Sequence, residues 1–458
     1  MTEDSPDVIR DALGICPICF VRVPSCLIEK NNQVFLKKVC PQHGPSDLLL
    51  SSAPLYYRNL DRMYFSVMDE DKEMGDVELY VTGRCNMRCS ICYMSCNSDK
   101  NALIGEPSLA EIEQFIRHCK QQMIIIGGGE PTCREDLPEI IRLIRSLGKS
   151  VMMNTNGVRL AEMDYVLLLK KAGLQRVNIQ FDGFSEEAEV QLRGANYLSE
   201  KFKAISNMNA AGMSVGLNMC LVPGLNNRSF GKVLDFIACH PHIVSVNFLT
   251  IAKLGAAAAY PDRDYLMPDQ AADMFLDELG DKFSRENLFL FQKLHLAMKS
   301  FFRQRYCFYS VIYVGVRTKQ GYAPLDAFLN FKHLDFWLTL YERFYKKSRI
   351  LSKAAFILGV LSLFCSRRSW KIAGELLWLS IAYVARSGAY FRPTSFFYIN
   401  FSTSCDPNKI DYRVSRNCHN EMAFACHVGD ALEHHGRSGH VFIRREKVKQ
   451  QGRAGALE

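Results

Sequence analysis

Between about residue 76 and residue 252 the chain alternates short apolar runs of strand length with segments whose apolar residues recur at helical spacing. The run at 77–82 predicts a first strand. The segment 108–121 predicts a helix, with Leu109, Ile112, Phe115, Ile116 and Cys119 on one face and Ser108 and Glu111 in capping-box spacing at its start. The run at 123–126 predicts a second strand, and Asp136 opens a helix that Gly148 can end. Strands at 151–155, 177–181, 215–222 and 243–251 follow, separated by helices at 161–172, 199–211 and 230–239.

Six strands joined through helices require right-handed crossovers and a parallel sheet covered by helices. The expected fold class is therefore α/β, a partial parallel (β/α)6 barrel over 76–252. A small cysteine-rich metal-binding head over 1–60 precedes it, a mainly helical region over 253–435 follows, and a disordered basic tail over 436–458 is expected at the end. In such a barrel the loops after the strands gather at one mouth, where active sites lie. Those loops hold the cysteines after strand one, Gly128-Gly129-Glu130-Pro131 after strand two, Asn154 to Gly157 after strand three and Phe181 to Gly183 after strand four.

Cys85, Cys89 and Cys92 form a C-x3-C-x2-C set. Three thiolates in one short loop can ligate three irons of a cubane cluster and leave the fourth iron open. Structural zinc competes for closely spaced cysteines, but it wants a fourth ligand and is usually held by pairs.

The triplet followed by Gly128-Gly129-Glu130-Pro131 resembles the radical S-adenosylmethionine (radical SAM) superfamily over roughly residues 76–252. One departure is Ile91, where the family usually has an aromatic residue. The resemblance implies a 4Fe–4S cluster on Cys85, Cys89 and Cys92 whose open iron chelates S-adenosylmethionine. Reductive cleavage of that cofactor gives a 5′-deoxyadenosyl radical, which abstracts hydrogen from an unactivated carbon. It also implies an electron donor such as ferredoxin or flavodoxin. On the same footing Gly128 and Gly129 let the backbone approach the cofactor's methionine end, and Glu130 accepts from its ammonium or braces the loop. Asn156 and Asp182 contact cofactor or substrate, Arg193 pairs with the cofactor carboxylate, and Asn218 meets the ribose. The bland alternatives stand beside these: Asn156-Gly157 and Asp182-Gly183 are also turn dipeptides, and Arg193 is also readable as a solvated helix end.

Upstream, Cys16-Pro-Ile-Cys19 and, after twenty intervening residues, Cys40-Pro-Gln-His43-Gly make a two-knuckle pattern for zinc or a single iron, with Cys26 as a substitute ligand. A loop of free thiols is the alternative. The head and Gln180-Phe-Asp-Gly183 look like the group of archaeal tetraether lipid synthases and related pterin-methylating enzymes, whose members carry such heads and extra clusters. Cys405, Cys418 and Cys426, with His419 and His427 beside two of them and Cys307 in reserve, are candidates for an auxiliary iron–sulfur cluster.

Apolar runs at 354–365 and 376–385 are too short to span a bilayer. Lys346, Lys347, Arg349, Lys353, Arg367, Arg368 and Lys371 flank the first, a border suited to membrane-surface docking, with ordinary buried helices as the alternative. The composition, 48% hydrophobic and 23% charged, reads as globular. A net charge of +8, from 56 basic and 48 acidic residues, does not by itself mark a nucleic-acid partner. Seventeen cysteines and an opening segment without an apolar run predict a cytoplasmic protein with reduced thiols, peripheral to the membrane if the basic border docks there.

The leading expectation is a radical enzyme that activates an aliphatic C–H bond, on a lipid chain, and forms a C–C bond. The second is a radical methyltransferase acting on a pterin-like or other small substrate. The third is a non-catalytic zinc-binding scaffold, and a peptide-modifying radical enzyme ranks below these.

Overall fold

The computed structural model describes residues 7–16, 18–19, 21–68, 76–94, 96, 106–253, 255–261, 264–304, 310–365, 368–370, 372–376 and 395–403. The chain divides into two compact units. Of the described residues, one unit takes those within 1–73, 221–250 and 263–416, the other those within 74–220 and 251–262.

The first unit begins with β1 (Asp7–Ile15), β2 (Arg22–Lys30), β3 (Gln33–Cys40) and β4 (Gly44–Ser51), an antiparallel meander in sequence order. Asn31 and Asn32, both at positive φ, make the tight turn between β2 and β3, a backbone state that asparagine tolerates. Ile15, Val23, Leu27, Val34 and Leu36 are buried within this sheet. Helix α1 (Pro54–Val67) starts on a proline, which costs no hydrogen bond in a first turn. Asp61 of this helix accepts two bonds from the Arg10 guanidinium on β1, at 2.8 and 2.7 Å.

The second unit holds five strands: β5 (Asp76–Thr82), β6 (Met123–Gly128), β7 (Ser150–Thr155), β8 (Arg176–Gln180) and β9 (Ser214–Leu221). They are parallel and lie in sequence order. Helices α2 (Leu109–His118), α3 (Leu137–Ser146), α4 (Met163–Ala172), α5 (Glu186–Arg193) and α6 (Leu198–Ala210) connect them. Ser108 and Glu111 form the expected capping box on α2. Gly173, at φ 108°, ends α4 in the left-handed region. Alternation sorts the strands' faces: Val77, Leu79, Ile124, Ile126, Val151, Val177, Ile179, Val215 and Leu217 are buried, whereas Glu78, Tyr80, Asn154, Asn178, Gln180 and Asn218 fall on the opposite face. That second face is polar, unlike the doubly apolar strands usual in parallel sheets.

The rest of the first unit contains α7 (Phe230–Cys239), β10 (Ile243–Thr250), α8 (Pro268–Leu279), α9 (Arg285–Phe301), β11 (Ser310–Thr318), β12 (Gly321–Pro324), α10 (Leu334–Tyr345), α11 (Arg349–Leu363) and β13 (Phe396–Thr403). Strands β11 to β13 were not expected within a region read as mainly helical. β13 pairs parallel with β10 and antiparallel with β11. Phe248, Phe275 and Phe401 stack or meet edge-on here, with centroids 5.3–5.4 Å apart along the chain of contacts. Asp269 at the start of α8 accepts from the Ser51 hydroxyl at 2.9 Å and the Ser52 N–H at 2.8 Å, fastening the end of β4.

Helix α11 carries apolar residues on both its buried and its exposed face. Ser352, Ala355, Phe356, Gly359 and Leu363 are buried, with Phe356 stacked on Phe301 at 4.6 Å. The other face leaves Ile350 81% and Leu361 58% exposed, with Ile357 and Leu358 between them. Among the described residues no helix is long and apolar enough to cross a membrane. Most of the run at 376–385, together with Arg367, Lys371, Cys307, Cys405, Cys418, His419, Cys426, His427 and the tail, lies outside the described residues.

Candidate metal and cofactor centre

The three cysteines of the triplet leave the end of β5 in a loop with little regular structure, and each is half-buried. Backbone bonds from three directions hold that loop. The N–H groups of Gly129 and Glu130 donate to the carbonyls of Thr82 and Arg84, at 2.9 and 2.8 Å. The N–H of Ser90 donates to the Leu192 carbonyl at 3.0 Å, and the Ser90 hydroxyl lies 2.7 Å from that of Tyr260. The Ala256 N–H donates to the Cys92 carbonyl at 2.9 Å. Met87, Ile91 and Met94 are buried beneath the loop, so the aliphatic residue at 91 packs in place.

Gly128 and Gly129 are what let β6 end so close to this loop. Gly128 has φ 132° and Gly129 sits against the Arg84 carbonyl. The close approach these glycines make is to the backbone that carries the cysteines. Glu130, 1% exposed, accepts at one oxygen from the Thr132 N–H and the hydroxyls of Thr132 and Thr155, and at the other from the Asn156 N–H at 2.7 Å. Burial raises its carboxyl above the ordinary range, although these hydrogen bonds pull the other way. Glu130 thus braces the turn. The Asn156 side chain donates to the Asn86 side chain, inside the cysteine loop, at 2.6 Å.

Below the loop, Arg193 at the end of α5 donates from Nε and Nη2 to the two oxygens of Asp182, at 2.6 and 3.0 Å. Burial raises the thiols of Cys89 and Cys220, and the charged Arg193 guanidinium pulls the other way. Burial alone would lower the arginine, but Asp182 outweighs it and holds the guanidinium charged. Arg193 is therefore a buried, paired residue rather than a solvated helix end. Asn218 stands on β9 in register with Gln180, and its carbonyl accepts from the Phe181 N–H.

The donor set can be tested against the expected cluster. Cys85, Cys89 and Cys92 lie in one short loop, yet the three do not draw together as ligands of one ion do. Among the described residues, only the head places three or more ligand atoms all within 4.8 Å of one another. Three thiols in one loop that do not close on a single ion are the donor type that a cubane held at three corners takes. The Met87 N–H also points at the Cys85 sulfur, at 3.4 Å, a donor that would stabilise a thiolate.

In the head, Cys16, Cys19, Cys40 and His43 converge as the spacing predicted. His43 Nδ1 lies 3.6 Å from the Cys16 sulfur and 3.5 Å from the Cys40 sulfur, while the Cys19 and Cys40 sulfurs are 3.8 Å apart. A tetrahedron with metal–sulfur bonds of about 2.3 Å has sulfur–sulfur edges of about 3.8 Å, so this quartet fits one zinc or iron ion. Cys26 lies on β2 opposite Lys37, outside the quartet.

Sequence reasoning missed two sets of polar residues. On the polar strand face, Asn178 donates to Asn154 at 2.9 Å and Asn154 donates to Glu78 at 2.8 Å. Beneath Arg193, Lys201 and Glu189 form an ion pair with side chains 0% and 1% exposed. The alternating polar positions 78, 154, 178 and 180 in otherwise apolar strands were the available signal.

Comparison with known proteins agrees with this geometry. Residues 79–237 match the family described as the radical SAM superfamily, and residues 8–52 match the "HMPTM N-terminal zinc ribbon domain". The chain is 33% identical over 275 residues to the 7,8-dihydro-6-hydroxymethylpterin dimethyltransferase of Methanocaldococcus jannaschii, covering 54% of each protein. It is 33% identical over 185 residues to a probable GTP 3′,8-cyclase of Sulfolobus acidocaldarius, covering 40% of this chain and 58% of that one. A protein of the same name from Thermococcus kodakarensis is 30% identical over 214 residues, covering 46% of this chain and 67% of the relative. The chain thus spans little more than half the length of the first two curated relatives. The fold is α/β, a partial parallel barrel of radical SAM type with a zinc-ribbon head and a mainly helical C-terminal region. The chain belongs to the radical SAM superfamily.

Proposed function

We propose that the enzyme activates an aliphatic C–H bond on a lipid chain, forms a C–C bond there, and works at a membrane surface. The bound cluster and cofactor would supply a carbon radical strong enough for an unactivated C–H bond. Cys85, Cys89 and Cys92 would hold the cluster, while Glu130 and Asn156 fix the loop that presents them. Gly128, Gly129, Asp182, Arg193 and Asn218 would meet such a cofactor: Gly128 to Gly129 at the end of β6, Asp182 just after β8, Asn218 on β9 and Arg193 at the end of α5. Electrons would come from a small reductant protein of the ferredoxin or flavodoxin kind.

The observation that carries the lipid reading is the outer face of α11. Ile350, Ala354, Ile357, Leu358 and Leu361 recur at helical spacing on the exposed side, and Trp370 beyond them is 76% exposed. A buried helix would not leave such a stripe in water. Lys346, Lys347, Arg349, Lys353 and Arg368 lie around it, and apolar residues with a basic border suit the interface of an anionic bilayer. Co-sedimentation with vesicles containing phosphatidylglycerol should retain the protein, and Ile350→Glu with Leu361→Glu should release it. Lipid extracts of cells lacking the protein should miss a coupled alkyl product. Unchanged lipids would remove this reading.

A radical methyltransferase is the second reading, favoured by the Glu78–Asn154–Asn178 ladder. An amide and carboxylate ladder suits a polar ring with donors and acceptors on its edge better than it suits an alkyl chain, and the Methanocaldococcus jannaschii relative is named for a pterin substrate. Labelled methyl carried from S-adenosylmethionine into product would select it.

A further inference from the structure

The polar face of the second unit's sheet carries one directed run of side chains. Arg176 Nη2 donates to Asn178 Oδ1 at 3.2 Å, Asn178 Nδ2 donates to Asn154 Oδ1 at 2.9 Å, and Asn154 Nδ2 donates to Glu78 Oε1 at 2.8 Å. The two ends fix this order. A guanidinium can only donate and an ionised carboxylate can only accept, so each amide between them turns its oxygen toward Arg176 and its nitrogen toward Glu78. Asn154 and Asn178 are register partners on adjacent strands. The bond from Asn154 to Glu78, however, crosses over β6, which lies between β7 and β5. Gly127 leaves that way open, because a β-carbon there would stand 2.6 Å from Glu78 Oε1.

The run ends beside the cysteine loop. Glu78 Oε2 lies 3.5 Å from the Tyr80 hydroxyl, which in turn lies 3.3 Å from the hydroxyl of Tyr93, the residue after Cys92. Glu78, Tyr80, Tyr93 and Asn154 are half-buried. The carboxylate is thus held in one orientation with an edge that a ligand can reach. Its two oxygens offer about four acceptor positions, and such a pair matches two parallel N–H groups on one edge of a planar ligand.

We infer that Glu78 is a specificity-determining residue that binds the N–H edge of a 2-amino-4-oxopyrimidine ring through its two oxygens. The inference rests on the second reading above, a polar ring substrate, and not on the lipid reading. On such a ring the amino group and the neighbouring ring N–H stand side by side as donors. An analogue with oxygen in place of the amino group sets an acceptor against the carboxylate instead, and a site built to pair with donors rejects it. Asn154 and Asn178 are then positioning residues, which act by holding Glu78.

The test is equilibrium dialysis of the anaerobically reconstituted full-length protein against pterin and against lumazine, its 2-oxo analogue. The wild type should bind pterin more tightly than lumazine by about tenfold or more. Glu78→Gln presents one donor and one acceptor, which matches the alternating edge of lumazine, and it should bind lumazine at least as tightly as pterin. General damage to the sheet would weaken both ligands together and would not exchange their order. Asn154→Ala removes the bond that orients the carboxylate and should lose most of the preference for pterin; it decides alone if Glu78→Gln does not fold. Equal binding of the two ligands by the wild type overturns the inference. A preference for pterin that survives in the variants also overturns it, while leaving the second reading in place. A wild type that binds neither ligand removes that reading and the inference with it.

Discussion

Gly129 sits so close to Arg84 that a β-carbon added to it would stand 2.2 Å from the Arg84 carbonyl oxygen. That oxygen is backbone, and it is already committed to the Glu130 N–H. Neither side can yield without moving the loop that carries Cys85.

Gly129→Ala should therefore displace the cysteine loop. The cost of such overpacking is typically about 1–3 kcal/mol, and it falls here on the segment that must hold a cluster. The variant should fold, as judged by far-UV circular dichroism, yet retain less than half the iron of the wild type and form correspondingly less 5′-deoxyadenosine. Full iron content would show that the contact relaxes elsewhere.

In the metal-free protein, burial pushes the Cys85 thiol up to about 12, with the Glu130 carboxylate and the neighbouring sulfurs adding to it. Only the thiolate is alkylated, so the Cys85 rate should rise about tenfold per pH unit from pH 7 to 10 without levelling off. Alkylation with iodoacetamide, mapped by mass spectrometry, measures it. A plateau below pH 10 would contradict the assigned environment.

The parts of this molecule that sequence made legible are those where local chemistry and position coincide. Cys16, Cys19, Cys40 and His43 could be read as one site because Pro17, Pro41 and Gly44 mark the turns that bring them together. The five strands of the second unit followed from short apolar runs set between helical segments. Lys201 and Glu189 were not, because each falls on a helix where a charged residue ordinarily faces water. Arg193 had been assigned to the cofactor by resemblance, and its commitment to Asp182 is a tertiary fact with no local signature. Strands β11 and β13 were missed because their pairing joins segments some eighty residues apart, a relationship that periodicity does not encode.

The head quartet should behave as a structural metal site. Its sheet is small, and structural zinc binds comparable peptides with about 10–16 kcal/mol, more than so small a sheet can supply from its own core. One equivalent of zinc or iron per chain is expected beyond the cluster iron. Removing it with a chelator, or substituting Cys40→Ala, should abolish amide protection across residues 7–51 in hydrogen exchange. Protection that survived removal would mean that the sheet, not the ion, holds the head.

Lys201→Met offers the sharpest test of the buried Lys201–Glu189 pair as a stabilising element. The substitution leaves Glu189 without its cation, and one Glu189 oxygen already has no partner. Breaking a buried pair in this way typically costs about 3–5 kcal/mol, much of it the penalty of the stranded charge. The double variant Lys201→Met with Glu189→Leu removes that charge as well, and should recover most of the loss in urea denaturation. If the single and double variants were equally destabilised, the cost would lie in lost packing or in the lost bond from Lys201 to the Gln180 side-chain oxygen, rather than in charge balance.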